Sequence, residues 1–69
     1  MTPEQIKAAR MTLGFTQQRM AQAMRVHLNL WQKWEYGAQG ISKAPARLIE
    51  LMLALHKNGI LEEYSKEAK

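Results

Sequence analysis

Cysteine is absent from the chain, which excludes both disulfide staples and thiolate metal sites. No stretch approaches the ~20 consecutive apolar residues that a membrane-spanning helix needs. No N-terminal segment has the basic, apolar, small-residue order of a secretion signal. There are only six acidic residues and four glycines. The former offer no paired carboxylates and the latter no phosphate-cradling loop, so nothing is present on which to build an enzyme site. The two histidines, His27 and His56, stand about thirty residues apart with no neighbour at metal-ligand spacing. Repeats and low-complexity segments are missing too. These absences lead to the expectation of a soluble, cytoplasmic protein with no catalytic residues, no metal and no cofactor.

What is there is short and basic. Sixty-nine residues make one domain, which at this size buries only roughly 60% of the surface of its unfolded chain; helices joined by short turns are the economical solution. The formal net charge of +4 is unevenly spread: up to Arg47 there are seven basic residues against two acidic ones, and from Leu48 onward three against four. The positive excess lies where a polyanion would bind.

The helix signals come in order. Thr2-Pro3-Glu4-Gln5 reads as an N-cap, a first-turn proline and a capping-box glutamine. Ile6, Ala9, Arg10 and Leu13 follow at helical spacing on one inward face, and Gly14 stops the helix. Arg10 on that face requires a carboxylate partner. Thr16 caps a second helix, with Phe15 spaced to meet Met20, an inner face of Met20, Ala21 and Met24, and Gln17, Gln18, Arg19 and Gln22 outside. Val26-His27 repeats the device for a third helix: Val26 is spaced to meet Trp31, and His27 sits at the cap, where a phosphate contact is its alternative role.

In the third helix, about 100° per residue puts Trp31, Trp34 and Glu35 on one side and Asn29, Gln32, Lys33 and Tyr36 on the other. Glu35 is therefore the natural partner of Arg10. The outward residue types suit base edges: Asn for adenine, Lys for guanine, Gln for either, and Leu28 near a thymine methyl. An ordinary solvated face is the competing reading. Gly37 ends the helix and a loop runs from Ala38 to Lys43. Pro45 then sits in the first turn of a fourth helix that ends near Lys57, closed by Asn58-Gly59. Leu48, Leu51, Met52 and Leu55 face one way in this helix, while Ile49 and Leu53 widen its apolar arc to roughly 200°. That excess predicts a homodimer interface of Ile49, Leu53, Ile60 and Leu61. The competing reading folds residues 61–69 back over the patch as a fifth helix.

Arg10, then Leu13-Gly14-Phe15-Thr16-Gln17, then Ala21, Val26 and Trp34-Glu35-x-Gly37 together resemble the Xre/Cro family of phage-repressor-like helix-turn-helix proteins. The Trp31-Gln32-x-Trp34-Glu35-x-Gly37 variant is similar to that of small phage and mobile-element regulators. The resemblance spans the first 37 residues and implies an all-α, lambda-repressor-like bundle of four to five helices. It also implies an Arg10–Glu35 pair beneath the motif, Gln17 on a phosphate or the groove edge, and Leu28, Asn29, Gln32 and Lys33 in the major groove. The sequence departs from the family in three places. Arg25 stands where the turn usually has glycine, which requires φ > 0 there or a different turn. Leu28 stands where a polar base reader is common. The loop after Gly37 is uncharged, which shifts the phosphate contacts to Lys43 and Arg47.

The expectation is thus a helix-turn-helix domain over residues 1–60 with a short charged tail, 61–69. Its DNA-binding set is Gln17, His27, Leu28, Asn29, Gln32, Lys33, Tyr36 and Lys43, and its partners are double-stranded DNA and a second copy. The function implied is transcriptional repression from an inverted-repeat operator. The alternative is a protein-interaction module, such as an antitoxin or co-repressor subunit, that uses the fourth helix and the leucines Leu28 and Leu30. A membrane-surface role is a distant third, because no basic face flanks the apolar arc of the fourth helix.

Overall fold

The chain's first helix opens at Thr2, whose hydroxyl accepts from the Gln5 backbone N–H at 3.1 Å while the Gln5 carboxamide accepts from the Thr2 N–H at 2.9 Å. This is the capping box expected from the sequence, and it satisfies two otherwise orphaned donors. The computed structural model describes residues 1–59, which are all-helical: α1 Pro3–Leu13, α2 Gln17–Met24, α3 Leu28–Tyr36 and α4 Lys43–Lys57. The expected tail at 61–69, with Ile60 and Leu61, lies outside the described residues. Among those described, no helix is long and apolar enough to cross a membrane.

Three of the turns use the left-handed region. Gly14 (φ 75°) and Gly37 (φ 79°) close α1 and α3, as glycine does at little cost. Arg25 takes the same conformation (φ 57°, ψ 42°) at the end of α2, where its N–H bonds to the Gln22 carbonyl and that of Val26 to the Ala21 carbonyl. The turn is therefore built in the glycine geometry with an arginine in it. At Gly37 a side chain would also meet Pro3, whose Cγ lies 3.3 Å from an ideal Cβ position. The end of α3 is thereby seated against the first turn of α1.

The core gathers Ile6, Ala9 and Leu13 from α1, Met20, Ala21 and Met24 from α2, Trp31 and Trp34 from α3, and Ile49 and Met52 from α4. The inward faces expected for the first three helices are those observed. Trp31 is fully buried and meets Trp34 edge to face, with ring centroids 5.9 Å apart. Phe15, Val26 and Leu30 pack against this core; Leu30 is therefore not the exposed residue that the alternative reading requires. Helix α1 packs against both α3 and α4, and α2 packs against α3.

Helix α4 corrects two expectations. It starts at Lys43 rather than after it. It is also turned about its axis relative to the expected orientation. Ile49 is fully buried, Met52 is buried and Leu53 packs partly against the core, whereas Leu48 and Leu51 are 40% and 55% exposed. Ile49 is accordingly a core residue and unavailable to a partner. The residues turned at least partly inward are Pro45, Ala46, Ile49, Met52, Leu53, Leu55 and His56, so Met52 and Leu55 of the expected face are retained while Leu48 and Leu51 are turned out. An apolar arc of about 200° holds two stripes, and α4 turns one of them toward α1 and the shared core.

Candidate nucleic-acid interface

The side of α3 that faces the protein is fixed by a buried ion pair. Arg10 donates to Glu35 twice, Nε to Oε2 and Nη2 to Oε1, both at 2.9 Å, and its Nη1 reaches the Phe15 carbonyl at 2.9 Å. The Glu35 side chain is 1% exposed and that of Arg10 15%. The Trp31 indole N–H donates to the same carboxylate. Burial on its own would push the Glu35 carboxyl up. The hydrogen bonds from Arg10, Trp31 and Gln17, with the guanidinium charge, outweigh it and hold the group below the usual carboxylate range. The bond to Glu35 in turn holds the Arg10 guanidinium above its ordinary value. The pairing expected from helical spacing is the one observed. Among the described residues, no buried side-chain polar atom lacks a hydrogen-bond partner.

From this pair, polar contacts run outward. Gln17, the first residue of α2, donates through Nε2 to Glu35 Oε1 at 3.4 Å and to the Tyr36 hydroxyl at 3.1 Å. Its Oε1 accepts from Gln32 Nε2 at 3.2 Å and from the Tyr36 hydroxyl at 3.4 Å. Gln17, Gln32 and Tyr36 are thus drawn into one cluster around the end of α3. Gln17 is half-buried, and its carboxamide is engaged inside the protein on both ends.

The remaining residues of the expected set divide by position. Asn29, Lys33 and Tyr36 are exposed on the outer stripe of α3, with Gln32 half-buried between them and Leu28 at 38% exposure near the helix start. His27 occupies the N-cap position of α3, but its side chain makes no capping hydrogen bond. An exposed ring at that point leaves the cap role unfilled. Lys43 is exposed at the first residue of α4, and no ion pair or hydrogen bond among the described residues ties it to the α3 face. The exposed Arg47 pairs with Glu50 at 3.3 Å along the same helix, a contact of little energetic weight. Arg19 lies over the Phe15 ring, 5.5 Å from its centroid.

The outer stripe can offer amide, ammonium and phenol groups side by side on a short helix whose opposite face is buried and hydrogen-bonded to α1. Comparison with protein-family models, with curated proteins and with solved structures gave no match.

Proposed function

We propose that this protein is a sequence-specific DNA-binding transcriptional regulator in which α2 and α3 form a helix-turn-helix and α3 enters the major groove. The observation that carries the reading is the two-sided build of α3. Asn29, Gln32, Lys33 and Tyr36 lie outward on the basic part of the chain, while Trp31, Trp34 and Glu35 are buried behind them. Recognition requires a helix whose side chains are held in register with base edges, and these residue types are the ones that can read them.

The protein acts as a homodimeric repressor, binding rather than catalysing. With Ile49 in the core, the exposed apolar residues that α4 offers a second copy are Leu48 and Leu51. Two copies read an inverted repeat with half-site centres about 10 bp apart or a multiple of that. The test is selection from random duplex DNA with the full chain, followed by anisotropy over a salt series. The expected result is an enriched inverted repeat bound with a steep salt slope, its preference at one half-site position weakened in Lys33→Ala or Asn29→Ala. Salt-sensitive binding with no enriched sequence would overturn base reading by α3.

The exposure of Leu51 and Leu48 also favours a second reading, a module that holds a different protein on α4. Sedimentation separates the two, since a stable homodimer covers those leucines and a monomer leaves them open.

A further inference from the structure

We infer that the buried Glu35 carboxylate dictates the hydrogen-bond pattern that Gln32 presents on the outer face of α3, with Gln17 as the positioning residue between them. The inference rests on the DNA-binding reading above and adds to it which base Gln32 selects and how.

Each step follows from donor and acceptor chemistry. An ionised carboxylate can only accept, and the Arg10 guanidinium keeps Glu35 ionised. Gln17 must therefore turn its NH2 toward Glu35, as observed at 3.4 Å, because its oxygen there would face another oxygen. Its Oε1 is thereby forced to the other side, where it can only accept. Gln32 answers with an N–H at 3.2 Å, and Tyr36 supplies a second donor at 3.4 Å. Gln32 is left with one N–H and its Oε1, which accepts no bond from any described residue. One donor beside one acceptor matches the N7 acceptor and N6 donor of adenine; guanine presents two acceptors, N7 and O6, and needs two donors from the same amide.

Gln17 therefore acts as a positioning residue rather than the phosphate or groove-edge contact that the resemblance implies. A phosphate contact would strengthen binding to all sequences alike. A positioning residue changes the preference at one base pair.

The experiment compares wild type, Gln17→Met and Gln32→Ala, each confirmed helical, by selection from random duplexes. The side-chain amide resonances of Gln32 are also recorded in the free wild-type and Gln17→Met proteins. Wild type should prefer adenine over guanine at one position of each half-site by about tenfold. Gln17→Met should reduce that ratio to near parity there and nowhere else, and should shift the Gln32 amide protons and speed their exchange in the absence of DNA. Gln32→Ala should abolish the preference at the same position. A uniform loss of affinity in Gln17→Met with the base profile intact overturns the inference while leaving the DNA reading standing, as does full adenine preference in Gln32→Ala. An unmoved Gln32 amide in free Gln17→Met overturns it independently of DNA. Failure of wild type to enrich any sequence defeats the DNA reading itself, and the base preference with it.

Discussion

Helices α3 and α4 are held to the same small core by different kinds of force. Behind α3, a carboxylate receives two bonds from Arg10, one from Trp31 and one from Gln17, so its rotation about its own axis is restrained by directional contacts. Helix α4 buries Ile49 and Met52 with Leu53 alongside, and its Arg47–Glu50 ion pair lies within the helix and in solvent. Apolar burial is non-directional; it holds a helix in place without specifying which residues must point away. The buried hydrogen-bonded pair lies behind the helix proposed to present side chains in register, and the apolar burial of Ile49 and Met52 seats the helix that supports it.

The comparison is broken most severely at the ion pair. Arg10→Met leaves Glu35 buried without its counter-charge and should cost about 3–5 kcal/mol, a large part of the stability of a domain this size, measured by urea unfolding at pH 7. The same carboxylate sets the acid response. With its folded pKa held below the unfolded value, its contribution is fully present at neutral pH and is lost as pH falls through the folded pKa. Stability should therefore be level near neutrality and fall on acidification below about pH 4. A wild-type acid limb no steeper than that of Glu35→Gln would argue against the pair as its source.

On α4, the asymmetry is between neighbours two residues apart. Ile49→Ala should cost about 2–5 kcal/mol, whereas Leu51→Ala should stay within about 0.5 kcal/mol in the monomer. Equal effects would mean that the two residues are not buried differently, and a larger loss at Leu51 would mean that the helix is turned the other way. A smaller effect than at Arg10 or Ile49 is expected at the turn between α2 and α3. Arg25→Gly relieves a left-handed residue costing roughly 1–2 kcal/mol but gives the unfolded chain more freedom, worth about 0.4–1 kcal/mol. The net gain should be about 0–1.6 kcal/mol by the same terms, visible as a small rise in Tm, and a drop would show that the turn gains something from the arginine.

How much could be read before the structure follows the same division. Thr2, Gly14, Thr16 and Gly37 announce helix ends by local chemistry, and all four stand at caps. The faces of α3 were legible because two tryptophans and a glutamate at helical spacing contrast sharply with the polar residues opposite. Arg10 could be matched to Glu35 because a buried cation has few carboxylates to choose from. The orientation of α4 was not legible, since its wide apolar arc contains two acceptable stripes and the choice between them is made by packing against the rest of the core. The contacts of Gln17 were hidden for another reason: its partners lie 15 to 19 residues away, and an amide at a helix start suits solvent, phosphate or protein equally well.

The Arg10–Glu35 pair also bears on how such a chain can change over generations. Losing either member alone strands a buried charge, while exchanging both for apolar residues of similar volume is often tolerated. The two positions, 25 residues apart, are therefore expected to vary together or not at all. Trp31 and Gln17, which bond to the same carboxylate, tie their own drift to that joint event, whereas Leu51, half in solvent, is free to wander unless a partner covers it.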